Sequence, residues 1–214
     1  MSSSKEVESL IERLEKESET DVPEGDTPDV GVVMGSDSDF DVMMGSGEGR
    51  GGALDAFMEL GFEEVTDYEN PPDAEFTFET YVVSAHRTPD LMYAYGETAE
   101  ERGIDVIIAG AGGKSADLPN MTASVAYPIP VIGVPVQEKS VPSVIGMPQG
   151  APLTAVDAGK SFNASLTSAQ ILATRHPELK ERLEEYHERL RDGVGEVSKE
   201  MHDGGSMEFR KKTE

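Results

Sequence analysis

The sequence predicts an α/β protein built on a parallel sheet covered by helices on both faces. Three observations carry that reading. Four short runs, at residues 30–34, 81–83, 105–109 and 131–134, are largely apolar, as strands buried on both faces are. Segments with helical spacing separate them, and parallel strands need such crossovers. Each run ends in a turn built from glycine, serine or proline. No internal repeat is present.

The elements follow in order. Residues 1–27 stand apart as an acidic N-terminal extension. Val7, Leu10, Ile11 and Leu14 form a narrow apolar stripe on a short helix, and SETDVPEGDTPD reads as a linker. This segment is expected to dock weakly or to carry no site. A catalytic domain is expected over 28–176. VGVVM (30–34) is its first strand, followed by GSDSD and the start of a helix. GSGEGRGG (45–52) reads as a flexible interruption, and helical spacing resumes over 53–60 until Gly61 stops it. EEVTDYENPPDAEFTFET (63–80) is polar and contains proline, so a loop or irregular edge is expected. Tyr81, Val82 and Val83 form the second strand, and Pro89 opens a helix expected to run to Arg102. DVIIA is the third strand, 118–126 a helix, and 131–134 the fourth strand. A helix is expected over 161–174. The C-terminal part, 177–214, begins with a long helix on which Leu179, Leu183, Tyr186, Leu190, Val194, Val197 and Met201 recur at steps of three and four. That seam fits a core-facing helix or one packed on another helix or subunit. The last twelve residues read as a frayed tail.

At 214 residues the chain suits one domain with short extensions, and 37% hydrophobic residues allow a lean core. The formal net charge is −24, with acids spread along the chain. Such a surface disfavours nucleic acid and anionic membranes outside any local basic site. The apolar runs argue against disorder, which leaves a folded halophilic protein whose acidic surface suits concentrated salt. With no cysteine, disulfides, thiol nucleophiles and thiolate metal sites are excluded. No run approaches a membrane span, and the N-terminus has neither an apolar signal core nor a transit-peptide composition. A cytoplasmic protein is expected.

Ligands of open parallel sheets bind at the carboxyl ends of the strands. Here those ends carry GSDSD, SAHRTP, AGAGGKS and GVPVQ. In the first, Gly35 permits a close backbone approach, Ser36 and Ser38 offer hydroxyls, and the helix start offers free amides to a phosphate. Asp39 can accept hydrogen bonds from ribose hydroxyls. The same residues would also serve as a simple helix cap. In the second, His86 is a candidate general acid and base, Arg87 a phosphate cation and Ser84 a further hydroxyl. A structural histidine beside a surface arginine is the alternative. The third, Gly110, Ala111, Gly112 and Gly113, brings backbone amides to a ligand.

Several motifs fail on inspection. Gly113-Lys114-Ser115 and Gly159-Lys160-Ser161 lack the first P-loop glycine, since Ile108 and Thr154 stand there. Gly47, Gly49 and Gly52 match a dinucleotide fingerprint but lie well past the first strand. His176, His187 and His202 lack metal-site spacing, and no serine sits in a GxSxG turn. Neither ATP, NAD, a metal nor a serine triad is supported.

Taken in order, VGVVMGSDSD, VVSAHRTPD, VIIAGAGG…DLPNM, PVIGVPVQ, MPQGAP and NASLTSAQILA resemble the class I 5-(carboxyamino)imidazole ribonucleotide mutases of purine biosynthesis, over about residues 29–176. The resemblance implies a three-layer flavodoxin-like fold with a parallel sheet, here with a long C-terminal helix added. It implies a homo-octamer with active sites between subunits, no cofactor, and functional coupling to the ATP-dependent synthetase that makes the substrate. It implies an isomerase that moves a carboxylate from an exocyclic amine to a ring carbon of a phosphorylated imidazole ribonucleotide. His86 would carry the proton, Ser36, Ser84 and Arg87 would hold the phosphate, and Asp39 the ribose. Gly110, Ala111, Gly112 and Gly113 would lie along the imidazole. Three departures stand out. Asp117-Leu118-Pro119-Asn120-Met121 replaces the common His-Leu-Pro-Gly-Met, the segment between Asp39 and Ser84 is longer, and that between Gln137 and Met147 is shorter. Direct carboxylation by carbon dioxide and a non-catalytic nucleotide-binding protein are the alternatives to the mutase.

Overall fold

The computed structural model describes residues 4–20, 27–45 and 51–213. Its centre is a six-stranded, wholly parallel sheet of β1 (Val30–Met34), β2 (Phe62–Glu64), β3 (Phe76–Val82), β4 (Val106–Ala111), β5 (Val131–Pro135) and β6 (Thr154–Ala155). The strand order is β2-β3-β1-β4-β5-β6. β1 is central, with Val30 opposite Phe78 on one side and Val106 on the other.

The apolar runs conceal an alternation. Val30, Val32, Met34, Val106, Ile108, Ile132 and Val134 face one layer, while Val33, Ile107, Ala109 and Val131 face the other. The first layer holds α2 (Phe40–Met44), α3 (Ala53–Leu60), α7 (Ser161–Leu172) and α8 (Pro177–Gly204). The second holds α1 (Lys5–Ser18), α4 (Pro89–Thr98), α5 (Leu118–Val125) and α6 (Val141–Val144). Right-handed crossovers explain the division. The chain steps one way from β1 to β3 and the opposite way from β3 to β4, so the connecting helices take opposite faces. The expected flavodoxin-like architecture and its long C-terminal helix are both present.

Several local expectations are corrected. The stretch expected as a loop holds the last two residues of β2 and most of β3, which begins at Phe76 rather than Tyr81. Phe76 and Phe78 enter the first layer and stack with Phe57 and Phe62. Between them Thr77 and Glu79 are buried on the other face. Glu79 is there because Arg102 meets it, with Nη1 2.7 and 2.8 Å from the two carboxylate oxygens, and the Tyr68 hydroxyl donates to Glu79 at 3.0 Å. Burial works to lower the Arg102 pKa, but Glu79 and the Tyr95 and Tyr68 hydroxyls outweigh it and leave it raised. The helix opened by Pro89 ends at Thr98, freeing Arg102 to turn inward to this pair. The tail is not frayed throughout, since α9 spans Ser206–Thr213. β6, too short for a periodic signal, was not foreseen.

The N-terminal helix docks more firmly than expected. Its stripe lies on α4 with Leu14 fully buried, Glu17 pairs with Arg13 at 2.6 Å, and its other oxygen lies 3.9 Å from Arg102. The α8 seam divides. Leu179, Leu183, Tyr186 and Leu190 pack on the first layer, whereas Val194, Val197 and Met201 are exposed. The interruption at 45–52 and the linker fall largely on residues 46–50 and 21–26, outside the described residues.

Two predictions concern the frame. A Cβ on Gly110 would lie 2.0 Å from the Met43 sulfur, inside the first layer. Gly110→Ala is expected to destabilise the protein by about 1–3 kcal/mol in urea unfolding, and its loss should combine with that of Met43→Ala less than additively. At the amino end of β1, Asp29 accepts the Thr77 N–H at 2.7 Å. Burial, aided by Asp105, pushes the Asp29 carboxyl up to about 6 against that hydrogen bond. A carboxyl raised on folding stabilises fully only below its unfolded value, and that contribution is lost as pH rises through about 6. Asp29→Asn, which retains an acceptor for Thr77, is therefore expected to melt higher than the parent at pH 7.5. The difference should narrow as pH falls through about 6 and close near the unfolded carboxyl value, about 4.

Candidate active site

Helices on opposite faces leave a crevice where the winding direction reverses, between β1 and β4. The loops after β1, β3, β4 and β5 all open there, around a cavity of about 460 Å³. Ser36, Ser38, Asp39, Ser84, His86, Arg87, Ala111, Gly112 and Gly113 line it. The volume suits a small-molecule ligand. Gly110 is the exception among the residues expected to contact substrate. It is buried in β4, its carbonyl accepts the Gly35 N–H at 3.0 Å, and the space beside it belongs to Met43. Its glycine is required by packing.

GSDSD forms a tight turn. Ser36 accepts from the Ser38 N–H at 3.3 Å and from the Ser38 hydroxyl at 3.1 Å, and donates to Asp37 at 2.9 Å. That hydrogen bond, with one from the Ser38 backbone, holds the exposed Asp37 carboxyl below its ordinary range. The helix behind the turn is a single 3-10 turn, Asp37–Asp39, leading into the five-residue α2, so little dipole faces the cavity. Hydroxyls and side-chain cations are left as the anion-binding groups. Asp39 is buried against the β4 loop, where burial raises its pKa while the Gly112 N–H and the Arg87 charge oppose the rise.

SAHRTP turns tightly before α4. The Ser84 N–H donates to the Thr88 hydroxyl at 2.9 Å, and the Thr88 N–H to the Ser84 carbonyl at 2.9 Å. Arg87 reaches to the end of the neighbouring β1 and donates to the Gly35 carbonyl at 2.9 Å. It meets a carbonyl and the Ser84 hydroxyl rather than a carboxylate, so its charge is available to an anion. His86 is mostly exposed and faces Asp117, with Nε2 3.1 Å from Oδ2.

Six lining residues are not among the expected ligand contacts: Ala85, Ser115, Asp117, Leu118, Gln137 and Lys139. Gln137 ends GVPVQ, one of the strand ends the carboxyl-end rule singles out, and Lys139 lies two residues further on. Lys139 adds a second cation to the cavity wall. Of the motifs that failed on inspection, Gly113 and Ser115 do line the cavity. Gly159 and Lys160 are not at this cavity, and Gly47 and Gly49 lie outside the described residues. A larger recess of about 670 Å³ opens at the opposite, amino end of the sheet, around Asp29, Asp105 and His176. No group of acidic and histidine side chains suited to a metal occurs among the described residues, and no helix there is long and apolar enough to cross a membrane.

Known proteins resemble this chain. A family model described as AIR carboxylase matches residues 29–193. An N5-carboxyaminoimidazole ribonucleotide mutase from Thermotoga maritima is 39% identical over 188 residues, covering 85% of this chain and 96% of that protein. The Bacillus subtilis protein of the same name is 43% identical over 182 residues, covering 81% and 98%. Among solved structures, Treponema denticola PurE2-S38D superposes with a TM-score of 0.62 at 19% identity, covering 82% of this chain and 98% of that one, a likeness of fold alone. A family match that runs from the start of β1 into α8, and so takes in every loop of the cavity, means that the chain belongs to the AIR carboxylase family.

Proposed function

We propose that this protein is a 5-(carboxyamino)imidazole ribonucleotide mutase of purine biosynthesis. The observation that carries the reading is the cavity itself. It joins one exposed histidine, two cations and a ring of hydroxyls and backbone amides, in a chain about 40% identical over most of its length to proteins named for that activity.

The chemistry asks for one proton carrier and a phosphate site. His86 gives a proton to the carbamate nitrogen as the carbon–nitrogen bond breaks, which yields the exocyclic amine and carbon dioxide. The ring carbon, made nucleophilic by that amine, attacks the carbon dioxide held in the cavity. His86 then takes the proton from the same ring carbon, which restores the aromatic ring and the starting state of the enzyme. No net proton, electron or cofactor is consumed. Arg87 and Lys139, with Ser36, Ser38 and Ser84, hold the phosphate. Asp39 faces the ribose hydroxyls with acceptor capacity beyond its hydrogen bond to Gly112. Ala111, Gly112 and Gly113 lie along the imidazole, and Gly110 acts from beneath by letting the loop sit where it does.

The octamer with sites between subunits, the cytoplasmic location, the halophilic surface and the coupling to an upstream synthetase belong to the same proposal. The open cavity supports an assembly, since neighbouring subunits would close it. The exposed apolar end of the α8 seam supports it too.

Three outcomes are expected. With the carboxyamino substrate and labelled bicarbonate in concentrated potassium chloride, product absorbance should rise with little early label. Label entering as fast as product forms, with the unmodified aminoimidazole ribonucleotide accepted equally, would instead identify a carbon dioxide carboxylase. His86→Asn should lower turnover by at least about a hundredfold while ribonucleotide affinity stays within about threefold. The melting temperature should rise with potassium chloride, because repulsion among the 42 acids is screened, and a salt-independent value would refute the halophilic reading.

A further inference from the structure

The departures from the family pattern at Asp117, Asn120 and the shortened segment before Met147 meet at one residue, Ser143. Asp117 stands at the N-cap position of α5, where an aspartate ordinarily caps its own helix, yet its side chain makes no such bond. Both oxygens are engaged elsewhere. Oδ2 lies 3.1 Å from His86 Nε2, and Oδ1 accepts from the Ser143 hydroxyl at 3.0 Å. Ser143 belongs to α6, inside the shortened segment. Asn120, which replaces a common glycine, donates from Nδ2 to the Ser143 carbonyl at 2.8 Å. The contacts thus form a chain, Asn120 to Ser143 to Asp117 to His86, that crosses from α5 to α6 and ends on the histidine.

We infer that Asp117 is a positioning residue that fixes the ring and tautomer of His86, so that Nδ1 is the nitrogen that exchanges protons with the substrate. This rests on the mutase reading. A carboxylate can only accept, so the nitrogen facing it must carry hydrogen. Nε2–H therefore stays on Asp117 throughout the reaction. The proton leaves Nδ1 for the carbamate nitrogen, the carbamate bond breaks, and the ring-carbon proton returns to Nδ1. Asp117 keeps its charge and counters that of the ring whenever both nitrogens are protonated. Ser143 and Asn120 hold the carboxylate in place. The alternative is an incidental surface pair, since His86 and Asp117 side chains are 61% and 40% exposed. Such pairs contribute little to stability, so an effect on turnover without one on melting separates the two.

The test uses the full-length protein and its Asp117→Asn, Asp117→Glu and Ser143→Ala variants. Asp117→Asn is expected to lower kcat about 10- to 100-fold with KM within about threefold, and to melt within about 2 °C of the parent. Asp117→Glu should recover part of the loss, and Ser143→Ala should show a smaller one. Nitrogen-15 NMR of the histidine rings, with His86 assigned from His86→Asn, should show the proton on Nε2 in the parent and a changed ring state in Asp117→Asn. A kcat within twofold of the parent, or a raised KM with kcat unchanged, would overturn the inference. So would a His86 ring that does not respond to Asp117→Asn. If the parent fails to turn over the carboxyamino substrate, the mutase reading falls, while the NMR result still decides whether Asp117 sets the His86 tautomer.

Discussion

The reversal of winding at β1 is the constraint on which the rest depends. The chain leaves β1 toward one edge of the sheet and crosses back past it toward the other. With right-handed crossovers this places α3 and α4 on opposite faces, and the loops after β1 and β4 must part above the two strands. The crevice is therefore a consequence of topology, and the residues around it are those that happen to follow strand ends. The separation is held narrow by the Gly35–Gly110 hydrogen bond and by Met43 filling the space beside Gly110. A larger residue at 110 would push α2, and with it the GSDSD turn, away from the opposite wall.

The distribution of cations follows from the same frame. The chain has 18 lysines and arginines against 42 acids. Many serve as ties between elements: Arg102 with Glu79, Arg175 with Asp105, Arg182 with Glu75 and Arg189 with Glu59. The Arg102–Glu79 pair is fully buried and joins the end of α4 to β3, with α1 closing over it through Glu17. Removing either partner would leave a buried charge unpaired, so the pair fixes the arrangement more than it stabilises it. Arg87 is set apart from these ties. It faces the cavity with Lys139, in a protein whose surface otherwise repels anions.

Within the cavity the division of labour is between groups held rigidly and one that is not buried. Asp39 and the glycine loop are fixed to each other, and Ser84 is locked by Thr88. His86 stands in the open, so packing alone does not set its ring. Its ring meets Asp117, itself held from α6. A mobile imidazole would spend much of its time misaligned, and a carboxylate partner restricts it without enclosing it.

The sequence by itself determined the parallel sheet and the strand ends whose residues line the cavity. These are local properties. A strand buried on both faces must be apolar along its length, and a turn that exposes backbone amides must contain glycine or serine. What failed locally failed for a tertiary reason. β3 looked like a loop because Thr77 and Glu79 are polar, and only Arg102, 23 residues on, makes Glu79 a core residue. Gly110 looked like a ligand contact because Met43, which needs its space, lies in another element. Asp117 looked like a lost histidine until the fold brought it to His86, 31 residues away, and to Ser143, 26 residues away. Composition and spacing act over a few residues, whereas partners such as these are chosen by the order of strands and the handedness of crossovers, which exist only once the sheet has formed.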